Sequence, residues 1–158
     1  MNIYSISDTF NFLTFSKIGG LVYVHNNDKK IYIKMKCKLK YMLFSNISGP
    51  FIDFELYDDD IETFKRFEDK IIDESGLSDS PGFKLLYISS LRSNLLKVSI
   101  MKKDGVYMNV FNSDGEPLIG SKYIKESDCE IIIELKYILN TDKIIVLCWN
   151  LIQLKYLN

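Results

Sequence analysis

Lysines stand at positions 29, 30, 34, 36, 38 and 40 of a 158-residue chain whose formal net charge is only −1, and a tyrosine, Tyr32, lies among them. Cations repeated at short intervals beside a flat ring suit one chemistry above others. Ammonium groups follow the phosphates of a nucleic-acid strand while the ring stacks a base. In an extended strand successive side chains point to opposite faces. Lys30, Tyr32, Lys34, Lys36, Lys38 and Lys40 then share one face, and Ile31, Ile33, Met35, Cys37, Leu39, Tyr41 and Leu43 share the other. A helix would scatter the same lysines round its circumference, so the spacing predicts a β-strand over 30–41 with a dry face and a basic face. Tyr107 and Phe111 share a face of "GVYMNVF", and Lys97 lies on the strand before it, so these three extend the candidate surface. The same pattern has a plainer reading of equal weight: alternating lysines keep the outside of a sheet wet and make its edge unattractive to other strands.

Other chemistries lack their parts. The single histidine, His25, falls in "HNNDKK", which reads as a surface turn, so no Ser-His or Cys-His pair is indicated. No Gly-rich phosphate loop of the GxxxxGK[ST] or GxGxxG type occurs. Cys37, Cys129 and Cys148 form no close pair in sequence and are odd in number. They read as small core residues of a protein from a reducing compartment. The triple aspartate at 58–60 reads as a solvated helix start rather than a metal site. No enzyme, cofactor or metal is expected.

The elements that must position these residues are mostly strands. "FNFLTFSKI" (10–18), "LVYV" (21–24), the basic strand and "FIDFELY" (51–57) come first, the last with Ile52, Phe54 and Leu56 on one face. "NLLKVSIMK", "GVYMNVF", "CEIIIELKYIL" and "KIIVLCWNLIQLKYL" follow, with turns at "NSDGEP" and "NTD" and a loop at "SDSPGFK" (78–84). In "CEIIIELKYIL" the apolar row is Cys129, Ile131, Ile133, Leu135, Tyr137 and Leu139. Trp149 shares a row with Leu147, Leu151 and Leu157 and reads as core. One helix interrupts the strands: "DDDIETFKRFEDKIIDESG" sets Ile61, Phe64, Phe67, Ile71 and Ile72 on one stripe, with Asp59 and Glu62 as a capping pair and Gly76 as the stop.

With 47% hydrophobic residues, 158 residues suit a single domain, 1–158, with one core. Closure would remove the exposed edges of such apolar strands, so the expected fold is mainly β, a small antiparallel OB-fold-like barrel with one inserted amphipathic helix. The apolar runs are too short for a membrane helix and the first residues lack the order of a signal peptide, so a soluble cytoplasmic protein is expected. Between Asp53 and Asp79 eleven acidic residues face three basic ones, a local net charge of −8. Such a field repels phosphate within about 8–10 Å, so a nucleic-acid surface requires this helix to lie elsewhere; its acids would recruit basic replication proteins or, when nucleic acid is absent, shield the lysines.

From about Phe67 to Leu157 the chain resembles the OB-fold single-stranded DNA-binding proteins of large cytoplasmic DNA viruses and related cytoplasmic linear DNA elements. The resemblance rests on a short helix, "LRSNLLKVSI", "VYMNVFNSDGEPL", "CEIIIELKYIL" and the closing "CWNLIQLKYL" with Trp149 four residues before Gln153. It implies binding of single-stranded DNA without sequence preference, and protection of that strand during replication. The alternative is a structural or adaptor protein whose basic and acidic faces meet other proteins.

Overall fold

A computed structural model describes residues 1–45, 49–100, 102–103, 106–107, 109–118 and 124–158. The chain is mainly β. Its strands, in chain order, are β1 (Ile3–Tyr4), β2 (Leu13–Ile18), β3 (Leu21–Asn26), β4 (Lys29–Lys30), β5 (Tyr32–Ser45), β6 (Gly49–Leu56), β7 (Leu91–Arg92), β8 (Leu95–Ile100), β9 (Lys102–Lys103), β10 (Val106–Tyr107), β11 (Val110–Phe111), β12 (Asp128–Asn140) and β13 (Ile145–Tyr156). Helix α1 (Asp58–Ser75) and the short α2 (Phe83–Leu86) lie between β6 and β7, with a 3-10 turn at Leu77–Asp79. The segment 78–84, expected to be plain loop, is thus partly helical.

Five of these strands close on themselves. β5 pairs with β6, β6 with β8, β13 with β12 and β12 with β5, all antiparallel, while β8 and β13 pair in parallel. The β8–β13 seam is short, with Asn150 opposite Ser99 and Leu151 opposite Ile100. β3 and β2 extend the sheet beyond β12, and β1 lies parallel to the start of β5. The β3–β4 turn is made by Asn27 and Asp28, both at positive φ (52° and 59°), the two-residue hairpin geometry that matches strand twist. His25 is consequently not in a turn: it is half-buried on β3, between Thr14 and Lys30.

The core follows the expected alternation where pairing is regular. Ile31, Ile33, Cys37 and Leu39 are fully buried with Ile52, Phe54 and Leu56, Leu96 and Val98, and Cys129, Ile131 and Ile133. Three irregularities invert it, one of them where Ile132 faces Gln153 and Ile133 faces Leu151, so that the buried row of β13 passes from Leu147, Trp149 and Leu151 to Leu154 and Tyr156. Between Leu39 and Tyr41 the β5–β6 register slips, and Tyr41, expected on the apolar row, is instead 49% exposed. Between Leu135 and Tyr137 the β12–β13 register slips again, so Ile138 is buried while Tyr137 and Leu139 turn outward. An extra residue on one strand moves every later side chain to the opposite face.

Helix α1 packs Phe64, Phe67, Ile71 and Ile72 inward. Trp149, 2% exposed, lies against Phe64 and Phe67 with ring centroids 5.7 and 6.0 Å apart, so it is core, as its neighbours in the sequence indicate. Phe10 joins this layer against Phe67 at 5.3 Å. Asp59 does not cap the helix. Tyr57 occupies the N-cap position without a side-chain capping bond, and Asp58, Asp59 and Asp60 form the first turn, where carboxylates meet the positive end of the helix dipole. Gly76 ends the helix in the left-handed conformation, φ 77°, as its position predicts.

Candidate nucleic-acid interface

The lysines of β5 do project from one face of an extended strand, but that face is crowded with carboxylates. On β12, Asp128 stands opposite Lys38, Glu130 opposite Lys36 and Glu134 opposite Tyr32; on β6, Glu55 stands opposite Lys38. Lys30 pairs with Glu134 at 2.7 Å, Lys34 with Glu130 at 3.0 Å, and Lys40 with both Glu55 at 3.0 Å and Glu126 at 2.9 Å. The hydrogen bond to Glu134 raises the Lys30 ammonium above its ordinary pKa, and those to Glu126 and Glu55 do the same for Lys40. Asp60, from the acidic start of α1, lines the same cleft as Lys34, Lys36 and Glu130. The acidic helix therefore begins beside the lysine row rather than away from it. The expected basic face is a field of alternating charge, because β12 and β6 place their own acids on either side of β5.

The aromatic candidates also separate. Tyr107 lies on β10, paired with β9 in a two-stranded unit of its own; its side chain falls outside the described residues. Asn109 follows at φ 62°, which breaks the expected single strand, and Phe111 restarts on β11 beside Lys155. Phe111 is half-buried there, near the C-terminal end of β13. Tyr32 lies between Ile3 of β1 and Glu134 of β12.

Lys97 leads to a different surface. Alongside the short β8–β13 seam opens a cavity of about 370 Å³, lined by Phe51, the Ile88–Ser90 connection, Arg92, Lys97, Ser99, Lys136, Tyr137, Leu139 and the Ile144–Trp149 stretch. Arg92, Lys97 and Lys136 are exposed, and among the described residues no carboxylate belongs to the lining. Asp53 stands opposite Lys97 in register, yet the Lys97 ammonium lies over the Phe51 ring, 5.3 Å from its centroid. Lys136 takes the same position over Tyr137, at 5.3 Å, and Tyr23 meets Tyr137 edge-on at 6.1 Å. Two rings, three cations and an apolar floor thus converge. Of these residues the sequence pattern indicated Lys97 alone. Tyr137 was hidden by the slip on β12, and Phe51 and Arg92 carry no local signal that their strands meet here.

Behind this groove lies a buried polar group. Glu68, on the inner side of α1, has no exposed surface. It accepts hydrogen bonds from Ser89 Oγ at 2.7 Å, the Ser90 amide at 3.2 Å, Ser90 Oγ and Trp149 Nε1 at 3.4 Å. Burial pushes its pKa up, and the serine and indole donors pull it partly back. The cysteines are closer in space than in sequence: Cys37 and Cys129 face each other across β5 and β12 with Sγ atoms 3.8 Å apart, both free and buried. Burial raises the Cys37 thiol well above its ordinary pKa, which keeps it protonated and inert.

Among the described residues no His, Cys, Asp and Glu grouping could hold a metal ion, and no helix is long and apolar enough to cross a membrane. Comparison with known proteins gives no match to a protein family, to a curated protein or to a solved structure.

Proposed function

We propose that the protein binds single-stranded DNA without sequence preference, and that the strand lies in the groove of Phe51, Arg92, Lys97, Lys136 and Tyr137 rather than along β5. The observation that carries this reading is the convergence of two aromatic rings and three exposed cations in one concave surface. Single-strand binding needs both: rings that accept any base, and cations that track the backbone. The internal cation–π contacts suit an exchange. A base stacking on Phe51 or Tyr137 releases Lys97 or Lys136 to a phosphate, so the site is occupied by its own lysines until a strand replaces them.

The fold supports the reading at a coarser level. Numbered along the chain, the ring of five strands runs first, second, third, fifth, fourth and back to first, an order compatible with an OB-like barrel, and the helix enters between the second and third strands. In that fold oligonucleotides lie on the face of the second and third strands and against the loop joining the fourth and fifth. Phe51 and Lys97 occupy the corresponding strands, β6 and β8, and Ile144 lies in the β12–β13 connection.

Fluorescence anisotropy with a labelled oligo-dT tests the proposal. Joint replacement of Arg92, Lys97 and Lys136 by Glu should weaken binding by more than about tenfold at low salt, while Lys34, Lys36 and Lys38 changed to Glu should shift it by less than about threefold. The opposite ranking returns the strand to β5. A wild-type protein with no affinity even at low salt leaves the adaptor reading, in which the alternating charges of β5, β6 and β12 contact another protein.

A further inference from the structure

We propose that Glu68 is a positioning residue for the groove: its buried carboxylate ties the Ser89–Ser90 connection and the Trp149 indole to helix α1, and so holds two walls of the groove at their working separation. The inference rests on the groove being the binding surface. A carboxylate with no exposed surface is costly to bury unless its oxygens are hydrogen-bonded. The partners of Glu68 are hydroxyls, an amide and an indole, and among the described residues no salt bridge to it is formed, so ion pairing there does not explain its presence.

Its contacts point outward to the site. Ser89, Ser90 and Trp149 all line the cavity, and all three donate to the one carboxylate. Ser90 Oγ also accepts from Trp149 Nε1 at 3.2 Å, which closes a triangle between the connection, β13 and the helix. Ser89 Oγ in turn accepts from the Leu91 amide at 3.1 Å, at the start of β7, one residue before Arg92. Helix α1 is therefore linked through Glu68 to the backbone that carries a groove cation. Sites held by such supporting contacts lose function when the support is loosened even though the fold survives.

Trp149 is the chain's single tryptophan, so its emission reports on this site alone. In Glu68→Leu the Ser89, Ser90 and Trp149 donors lose their acceptor, so the melting temperature should fall, oligo-dT affinity should fall by about tenfold, and acrylamide should quench Trp149 more efficiently in the free protein. Glu68→Gln keeps an acceptor and adds a donor, and should recover most of both properties. A folded Glu68→Leu with unchanged affinity and unchanged quenching overturns the inference. Should Glu68→Leu fail to fold, Ser89→Ala and Ser90→Ala, which each remove a donor to the carboxylate, decide the matter singly and together. Coupled losses of affinity support a shared role, and additive or absent losses refute it. If wild type itself binds no oligo-dT, the nucleic-acid reading falls, while the quenching measurement still decides whether Glu68 holds the walls.

Discussion

Lys36 and Lys97 are both exposed ammonium groups on the outer face of a strand, and their surroundings make them different reagents. Lys36 looks across at Glu130 and shares a cleft with Asp60; Lys97 has Asp53 opposite in register but sits on an aromatic ring, in a groove whose lining holds no carboxylate among the described residues. A phosphate approaching Lys36 meets nearby repulsion, and one approaching Lys97 meets Arg92 and Lys136 in the same lining. Glu68 shows environment acting on a carboxyl group. Because burial raises its pKa in the fold, the folded state holds that proton more tightly than the unfolded chain. Stability contributed by this residue therefore rises as pH falls through its folded pKa toward the ordinary glutamate value of 4.5 and levels off below it. Tyr87 and Asp69, hydrogen-bonded at 3.3 Å, lie close by; the Tyr87 hydroxyl is pushed further from ionisation by burial and then by Glu68 and Asp69, so it stays neutral across this range. Thermal melts of wild type and Glu68→Gln from neutral pH to pH 4.5 should show wild type gaining on the variant as the solution is acidified; a constant difference would rule out a raised pKa.

Strands and helices were legible in the sequence wherever a single period governs them. Ile31 to Leu39, Ile52 to Leu56 and the Phe64, Phe67, Ile71 stripe are buried as their spacing requires. What periodicity could not show is where it breaks. The register slips at Leu39/Tyr41 and Leu135/Tyr137 depend on the partner strand, so nothing local to "KLKY" or "LKYI" announces them. Pairing partners were equally hidden. The lysine row is one face, as its spacing requires, but apart from Glu55 on β6 the acids that oppose it lie about a hundred residues away on β12 or just before it, and only the sheet order brings them together. Helix α1 was clear because its stop signal is local. Gly76 holds φ 77°, so Gly76→Ala should cost about 1 kcal/mol, measured as a lower urea midpoint with an unchanged slope. A neutral result would mean that the helix ends without the left-handed cap.

Across the full chain, a net charge of −1 conceals two kinds of surface. On β5, β6 and β12 opposite charges interleave, giving a wet, field-neutral face that protects a sheet from other strands. Where β8 and β13 barely meet, the chain leaves a concave surface with cations and rings and covers its back with α1 and Glu68. The account stands on a strand of DNA lying in that second surface. Photo-crosslinking of an oligonucleotide carrying 5-bromodeoxyuridine, followed by mass spectrometry of the adduct peptide, locates the strand directly. Adducts should fall on Phe51 or Tyr137, whose ring faces take the bases; adducts confined to Tyr32 on β5, or to no residue of the groove, would contradict it.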